Sequence, residues 1–352
     1  MRVLIFGLGG IGQRHLRNLI EIEPSVCLGA VKKTSRAFEI DDKLQANYSV
    51  DVLKKYNIEK FSSFKDAKGF KPDFAVVTNP TSVHVKTALE LVENNIPVFM
   101  EKPISDKYKG LKELIDVSRK KNVPVMIGYM MRFNPCAIKL KELIEKERIG
   151  KIYSVVLIIS SYLPSWHKYE KVNEFYAGSK SLGGGVVLTE IHELDLLNWY
   201  FGTPSSLWAV GGKLSSLDID VEDTVSILLE QEYKKQKFPI NINMCFVQKA
   251  PLRKLFIQGE KGRIEWDISS SIITVEDKEK NKQEVFDHSD FPRNQMFIDE
   301  LKHFIKCIKT SKEPNASLSE VINGHLTALG IKESLKKKSI VKKTDFLKLE
   351  RK

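Results

Sequence analysis

Short apolar runs alternate with amphipathic segments over the first third of the chain. The segments at residues 11–22, 82–94 and 106–121 repeat their apolar positions at the spacing of a helix. Continuous apolar strands alternating with helices predict a parallel sheet that is covered on both faces. The stretch at 34–56 predicts only short helices or loop. The apolar runs, rich in Val, Ile and Phe, lie at 3–6, 26–31, 74–78, 98–100 and 123–127, with a weaker one at 58–61.

The pattern changes after residue 128. A helix at 135–147 and a strand at 152–160 are followed by a helix at 190–201, and two further helices close the chain at 294–309 and 317–337. The predicted strands between these helices lie at 207–210, 224–230, 240–247, 254–258, 264–267, 272–276 and 284–286. The sequence therefore predicts an α/β domain over 1–123 and an α+β domain with one mainly antiparallel sheet over 124–352. We expect the C-terminal helix to pack back on the first domain.

A glycine-rich turn follows the first predicted strand. Gly7-Leu8-Gly9-Gly10-Ile11-Gly12 fits the GxGxxG pattern and opens a predicted helix, which is the context in which that pattern indicates a dinucleotide site. Gly7 permits the tight turn, Gly9 lets the backbone approach a pyrophosphate, and Gly12 lets helix and strand pack closely. The pyrophosphate is expected on the helix N-terminus, at Gly10 and Ile11.

The end of the second predicted strand bears on the choice between NAD and NADP. NAD-binding folds place an Asp or Glu there, about 20 residues after the glycines, for the ribose hydroxyl. This chain instead has Lys32-Lys33-Thr34-Ser35-Arg36, without a carboxylate. The cations Lys32, Lys33 and Arg36 favour a 2′-phosphate and hence NADP. The alternative is that they are ordinary surface residues and that backbone contacts hold NAD.

Polar motifs follow two of the predicted parallel strands. Thr78-Asn79-Pro80, with His84 shortly after it, follows one strand, and Glu101-Lys102-Pro103 follows the next. Both motifs lie at the carboxyl ends of parallel strands, where ligands bind in an open α/β sheet.

These motifs belong to a larger set that is spaced along nearly the whole chain. In chain order the set is the glycine turn at 7–12, Thr78-Asn79-Pro80 with His84, Glu101-Lys102-Pro103, Gly128-Tyr129 with Arg132-Phe133-Asn134-Pro135, and Gly183-Gly184-Gly185 followed by His192 and Asp195. The set resembles the Gfo/Idh/MocA oxidoreductases, the relatives of glucose–fructose oxidoreductase and inositol dehydrogenase. Several motifs in the family's order make this resemblance more specific than the glycine turn alone.

The resemblance implies a Rossmann domain followed by an open-faced sheet that covers the nicotinamide. It also implies that the substrate is a sugar, a polyol or a sugar nucleotide. Lys102 would lie beside nicotinamide and substrate hydroxyl, and the Lys102–Pro103 bond is expected to be cis, a form found almost only before proline. The residues that the resemblance places along the cofactor are Thr78, Asn79, Pro80, His84, Glu101 and Lys102.

Lys102 and His192 are the predicted acid/base pair. Removing hydride from a carbinol carbon also requires removal of the hydroxyl proton, so a base must stand near that oxygen. Partial burial beside a cationic ring lowers the pKa of a lysine toward that use. Helical spacing places His192 and Asp195 on one face, so Asp195 is expected to orient the imidazole. Many family members carry an aspartate where this chain has Leu188, and the alternative for His192 is a hydrogen-bonded residue at a helix–sheet contact.

Four further residues are expected to contact the substrate: Arg132, Trp166, His167 and Tyr176. The segment Tyr162-Leu163-Pro164-Ser165-Trp166-His167 resembles a subgroup of the family that is linked to surface-sugar biosynthesis, which favours a sugar nucleotide or an amino sugar. Trp166 would stack on a sugar face or a base and His167 would bind hydroxyls; the alternative is a packed loop. No metal site is predicted, because the chain lacks the i, i+4 histidine pair of helical zinc sites around His192 and the family works without metal.

Composition and charge exclude several other classes of protein. No apolar run reaches the roughly 18 residues of a membrane-spanning helix, so no membrane partner is expected. The net charge is +11, but residues 332–352 alone hold nine Lys or Arg against three Asp or Glu. The remaining excess is small and includes residues 32–36, which favours a small anionic ligand over nucleic acid. The four cysteines are scattered without a CxxC pair, which indicates a reducing compartment and a cytoplasmic location.

The sequence thus predicts a cytoplasmic NAD(P)-dependent dehydrogenase that forms a homodimer or homotetramer through the apolar face of its second sheet. Two other functions remain open. One is a lyase or hydrolase that oxidises its substrate only transiently, as NAD-dependent glycosidases do. The other is a non-catalytic dinucleotide sensor, which Leu188 makes conceivable and the complete Glu101-Lys102-Pro103 motif argues against.

Overall fold

The computed structural model describes residues 1–32, 38–278 and 281–348. The predicted cofactor contacts of Lys33 and Arg36 therefore lie outside the described residues. Within the described ranges no helix combines the length and apolar character that crossing a membrane requires. All four cysteines are free, and a cytoplasmic location stays a prediction.

A six-stranded parallel sheet forms the first part of the chain. Its strands and the hairpin inserted between the second and third of them are β1 (Arg2–Phe6), β2 (Cys27–Val31), β3 (Phe38–Ile40), β4 (Ala46–Asp51), β5 (Glu59–Phe61), β6 (Phe74–Val77), β7 (Val98–Glu101) and β8 (Val125–Gly128). The order across the sheet is β5-β2-β1-β6-β7-β8. The strand order reverses between the parallel neighbours β1 and β6, and a ligand crevice opens at such a switch point. The predicted Rossmann sheet is confirmed, and it ends at β8, slightly beyond residue 123; the domain boundaries stay a prediction.

Helices cover both faces of this sheet, as the apolar pattern predicts. They are α1 (Gly10–Ile22), α2 (Val52–Lys55), α3 (Phe64–Ala67), α4 (His84–Glu93) and α5 (Leu111–Lys121). The stretch at 34–56 differs from the prediction, because its described part contains the β3–β4 hairpin as well as α2. The hairpin buries Ile40 and is held to α1 through Gln13, whose Oε1 accepts from the Ile40 N–H at 2.7 Å.

A nine-stranded sheet forms the second part of the chain. Its strands are β9 (Ile152–Tyr162), β10 (Ser206–Gly212), β11 (Thr224–Tyr233), β12 (Gln236–Cys245), β13 (Val247–Gly259), β14 (Gly262–Asp267), β15 (Ile272–Asp277), β16 (Lys282–Asp287) and β17 (Val341–Lys342). The order is β16-β15-β14-β13-β9-β12-β11-β10-β17, and among the described pairs only β9 with β12 runs parallel. The predicted mainly antiparallel sheet is therefore confirmed.

The helices of the second part are α6 (Pro135–Glu145), α7 (Val186–Thr189), α8 (His192–Phe201), α9 (Arg293–Thr310), α10 (Leu318–Lys337) and α11 (Lys343–Phe346). Except for α9, which packs on the parallel sheet, they lie on one face of the nine-stranded sheet and leave its other face open. Asn134 caps α6, because its Oδ1 accepts from the Cys136 and Ala137 N–H groups, and Pro135 occupies the first turn. On the open face, Trp208, Val210 and Leu228 are 46%, 54% and 43% exposed.

The helix α9 packs back onto the parallel sheet. Leu301 and Phe304 are fully buried in the same apolar cluster as Ile5 and Leu16, which belong to β1 and α1. The ring of Phe304 meets Phe74 edge to face at 5.6 Å. A late helix thus completes the core of the N-terminal sheet.

A buried polar cluster lies at this junction. His15 of α1, Glu101 of β7 and Glu300 of α9 are 0%, 6% and 0% exposed, and their ligand-type atoms lie within 4.8 Å of one another. His15 Nε2 is 2.7 Å from Glu101 Oε1, whereas both oxygens of Glu300 have no hydrogen-bond partner. Burial, and then the neighbouring Glu101 carboxylate, raise the pKa of Glu300 well above its ordinary value of 4.5. Glu300 is therefore the carboxyl of this pair that binds a proton more readily.

Glu300→Gln tests this protonation state. A carboxyl whose pKa is raised on folding gives stability that is complete below its unfolded-state pKa and is lost as pH rises through its folded-state pKa, at about 1.4 kcal/mol per unit of difference. The amide is uncharged throughout, so the melting temperature of the variant should gain on that of the wild type between pH 5 and pH 8 in calorimetry. Asp299→Asn, one residue away and half-buried, is the matched control. Parallel pH profiles for wild type and Glu300→Gln, or stoichiometric divalent metal in the purified protein, would contradict the assignment.

Candidate active site

The glycine turn lies where β1 and β6 meet. Gly7 has a φ of +98°, and a Cβ there would lie 2.8 Å from the Thr78 carbonyl oxygen. A Cβ on Gly12 would lie 2.3 Å from the Gly7 carbonyl oxygen. Both positions therefore require glycine, the first for its conformation and the second for the close approach of helix and turn.

Space is open in front of this turn. A Cβ on Gly9 would meet no atom within 4 Å, and no side chain caps the N-terminus of α1. The first N–H groups of α1, at Gly10 and Ile11, are thus available to an anion. Thr78 fixes the turn from behind, because its Oγ1 donates to the Gly7 carbonyl at 2.8 Å. These features fit a dinucleotide pyrophosphate.

His84 joins the loops that follow β6 and β7. Its Nε2 lies 2.7 Å from the Asn79 carbonyl oxygen and its Nδ1 lies 2.8 Å from that of Pro103. Burial lowers the pKa of His84, and a neutral imidazole donates to one of these carbonyls at a time. The Lys102–Pro103 bond is cis, as predicted. The side chain of His84 thus positions the cofactor loops rather than facing the crevice.

The amine of Lys102 is anchored across the two parts of the chain. Its Nζ donates to the Thr189 carbonyl at 2.7 Å, and its backbone N–H donates to Glu101 Oε2 at 3.1 Å. Burial lowers the pKa of Lys102, while the carboxylates of Glu101 and Glu190 act in the opposite direction. A half-buried amine with a lowered pKa, held by a carbonyl, is suited to exchange a proton.

The predicted helix that carries His192 is interrupted. α7 ends at Thr189 and α8 begins at His192, with Glu190 in a non-helical conformation between them. This break frees the Thr189 carbonyl for Lys102. It also brings the carboxylate of Glu190, which an unbroken helix places on another face, within electrostatic reach of Lys102.

His192 is 7% exposed, and its Nδ1 has no hydrogen-bond partner. Burial lowers its pKa well below 6.5, and the charges of Lys102, Arg253 and Arg293 lower it further. The ring packs edge to face against Tyr129 at 6.0 Å. The imidazole is therefore neutral near pH 7 and is held by ring packing.

Asp195 does not orient His192, which corrects the prediction. Both carboxylate oxygens of Asp195 accept from Arg132, at 2.7 and 2.9 Å. The guanidinium of Arg132 also donates to Glu320, and it is 6% exposed. Arg132, predicted to contact substrate, is therefore committed to a buried ion pair that ties α8 to α10 and to the loop after β8.

Two of the predicted substrate residues belong to a packed loop. The ring of His167 lies 4.0 Å from that of Phe175, and its Nδ1 lies 2.8 Å from Glu170 Oε1. Trp166 packs edge to face on Phe246 at 5.7 Å. These contacts correspond to the packed-loop alternative.

Tyr176, the fourth predicted substrate residue, does lie at the site. It is half-buried, and burial, with Glu101 and Glu190, raises the pKa of its hydroxyl. The raised pKa keeps the hydroxyl of Tyr176 protonated at neutral pH.

Two arginines at the site, Arg253 and Arg293, were not predicted. Arg253, from the inner face of β13, donates to Glu193 and lies 3.7 Å from Glu190. Arg293, the first residue of α9, is exposed at the rim. The signal for Arg253 is its position in phase with buried Leu255 and Ile257 of the same strand.

Two family models match the chain. The model described as "Oxidoreductase family, NAD-binding Rossmann fold" matches residues 1–129, and the "GFO/IDH/MocA C-terminal domain" matches residues 137–265. The chain is 25% identical to myo-inositol 2-dehydrogenase from Thermotoga maritima over 97% of this chain and 98% of that protein. It is 26% identical to scyllo-inositol 2-dehydrogenase (NAD(+)) from Bacillus subtilis over 57% of this chain and 54% of that protein.

Solved structures share the fold. The WlbA dehydrogenase from Bordetella pertussis, in complex with NADH and UDP-GlcNAcA, has a TM-score of 0.79 at 19% identity and matches over 97% of this chain and 98% of that one. The scyllo-inositol dehydrogenase from Lactobacillus casei, with bound NAD(H) and scyllo-inositol, has a TM-score of 0.75 at 19% identity over 98% and 99%. Both domain models and the fold agree with the motif order, and the chain therefore belongs to the Gfo/Idh/MocA family of oxidoreductases with an NAD-binding Rossmann fold.

Proposed function

We propose that this oxidoreductase oxidises a CH–OH carbon of a sugar, polyol or sugar nucleotide, with Lys102 as the proton acceptor. The observation that carries the proposal is the anchored amine of Lys102, 2.7 Å from the Thr189 carbonyl, beside a neutral His192. Lys102 directly follows the parallel strand β7, at the edge of the sheet where the ligands of open α/β sheets bind.

The cofactor would be held by the turn at 7–12 and by the loops that His84 joins. When bound, its nicotinamide supplies the chemistry of hydride transfer. Gly9 offers open space, and the uncapped N–H groups of Gly10 and Ile11 would carry the pyrophosphate. Thr78, Asn79 and Pro80 would border the nicotinamide half.

Lys102 and His192 would have different roles when the hydroxyl proton is removed. The neutral amine of Lys102 takes the hydroxyl proton, and the resulting ammonium is stabilised by the Thr189 carbonyl and by Glu190. The pKa of His192 is too low for its imidazole to hold a second proton at neutral pH, so the neutral ring donates its N–H to the substrate hydroxyl oxygen and orients the hydroxyl. The lone pair of Lys102 then faces the departing proton.

Lys102→Ala tests the assignment. Loss of a positioned general base should lower kcat for NAD(P)H formation by about 10² to 10⁴-fold, with cofactor affinity in a fluorescence titration unchanged within a few-fold. Lys86→Ala, an exposed lysine of α4, should behave as wild type. In the wild type, kcat should fall as pH drops below the pKa of Lys102, which lies beneath 10.5, because the ammonium cannot accept a proton.

Other outcomes identify the competing functions. A Lys102→Ala enzyme as fast as wild type would overturn the mechanism. Tightly retained cofactor with turnover but no net NAD(P)H would identify transient oxidation. Cofactor binding without turnover of any sugar, polyol or sugar nucleotide would identify a sensor.

We propose NADP as the preferred cofactor on the basis of Lys32, Lys33 and Arg36, which follow β2 without a carboxylate. Arg36→Ala removes charge-assisted hydrogen bonds to a 2′-phosphate, each worth about 1.5–3 kcal/mol, so kcat/KM for NADP should fall about 10- to 100-fold and that for NAD should stay the same. Lys60→Ala, an exposed lysine of neighbouring β5, is the control. A wild type that prefers NAD, or an equal loss for both cofactors, would contradict NADP.

We propose that the open face of the nine-stranded sheet joins two subunits in a homodimer or homotetramer. Trp208 and Leu228 are directly paired across β10 and β11, and Val210 extends the same apolar patch. An exposed apolar patch of this kind commonly marks an interface between protein subunits.

Leu228→Glu should convert the oligomer into a monomer in light scattering after size exclusion, because it buries a charge in the apolar interface. Leu214→Glu, at a leucine that is 68% exposed in the loop after β10, should leave the mass unchanged. A monomeric wild type, or an oligomer that tolerates Leu228→Glu, would rule out this interface.

A further inference from the structure

Positive side chains gather around the reactive end of the crevice. Arg253 and Arg293 approach His192 from two different elements, β13 and α9, and Lys102 approaches it from the end of β7. All three charges act on the imidazole. The anions Glu190 and Glu193 lie next to Arg253.

The contacts of Arg253 leave one of its donors unused. Its Nη2 donates to Glu193 and lies 3.7 Å from Glu190, so its charge is compensated within the protein. Its Nε, however, is buried without a hydrogen-bond partner. An unpaired buried N–H is costly, and a bound acceptor would remove that cost.

No ion pair within the described part of the chain compensates the charge of Arg293. Among the described residues it makes no hydrogen bond or ion pair, and it is exposed at the start of α9. Asn294, the next residue, is held by Arg14 and Asn18 of α1, at 2.9 Å in each case, which fixes the start of α9 against α1. Arg293 is therefore presented from a fixed backbone position.

The arrangement selects for ligand charge. A guanidinium fork matches the paired oxygens of a carboxylate or phosphate, and cations in a crevice with low-dielectric walls attract anions. A neutral polyol carries no charge that compensates an unpaired guanidinium near its reactive carbon.

We propose that the substrate carries an anionic group, a carboxylate or a phosphate, that binds Arg293 and the free Nε of Arg253 while its CH–OH carbon faces Lys102 and His192. This inference rests on the proposed function, since it concerns the substrate of the same crevice. Arg293 is then a specificity-determining residue. Either a sugar acid or the diphosphate of a sugar nucleotide supplies the required anion.

Calorimetric titration of the NADPH-loaded or NADH-loaded protein tests the proposal independently of turnover. Four probes separate the two sources of charge: myo-inositol, D-glucuronate, UDP-N-acetylglucosamine and UDP-N-acetylglucosaminuronate. At least one anionic probe should bind at least tenfold more tightly than myo-inositol. Arg293→Gln should weaken that binding about 10- to 100-fold, Arg293→Lys should restore part of it, and the charge-matched Arg263→Gln on β14 should not change it.

The outcomes are distinct. D-Glucuronate alone or both nucleotides alone would assign the anion to a carboxylate or to a diphosphate. Equal binding of myo-inositol and the anions, or binding that Arg293→Gln leaves unchanged, overturns the inference. Turnover of myo-inositol alone would keep the proposed function and discard this one. Arg293-dependent anion binding without turnover would keep this one and discard the catalytic role of Lys102.

Discussion

The hydrogen bond from Lys102 Nζ to the Thr189 carbonyl is the contact on which the site depends. It joins the end of a strand in the first sheet to a helix end in the second part of the chain. The carbonyl is free because α7 stops at Thr189, and the same break turns Glu190 toward the amine. One interruption of a helix therefore supplies both the anchor and the counter-charge of the proposed base.

The buried ionisable groups beside the crevice are stabilised in different ways. Arg132 and Asp195 form a bidentate pair, which satisfies both groups where neither meets water. Burial and the neighbouring Glu101 carboxylate raise the pKa of Glu300, which favours its uncharged form. Arg253 is paired but keeps an unused N–H, and Arg293 is unpaired among the described residues. Arg253 and Arg293 therefore keep hydrogen-bond donors that a ligand can accept from. Arg132 and Asp195, in contrast, form a structural ion pair.

Local patterns predicted most of the fold and the cofactor turn. Strand runs, helical spacing and the glycine turn depend on near neighbours, and the structure contains the parallel and antiparallel sheets they predict. The prediction for Asp195 was wrong because its partner, Arg132, lies 63 residues away in sequence, and helical spacing alone favoured His192. Glu190 was placed on the wrong face for a similar reason, since an unbroken helix was assumed. The β3–β4 hairpin was missed because its short, polar strands lack an apolar run.

Net charge illustrates the difference between composition and position. Much of the +11 lies in the last residues of the chain, far along the sequence from the motifs. Arg253 and Arg293 add little to that sum, yet β13 and α9 bring them to the imidazole of His192. The potential of a partly buried group such as Arg253 acts at short range, where screening by solvent is weak, whereas the charge of a solvent-exposed side chain is screened within about 10 Å at moderate salt. The charge that selects a ligand is therefore set by which face of a strand or which turn of a helix carries each arginine.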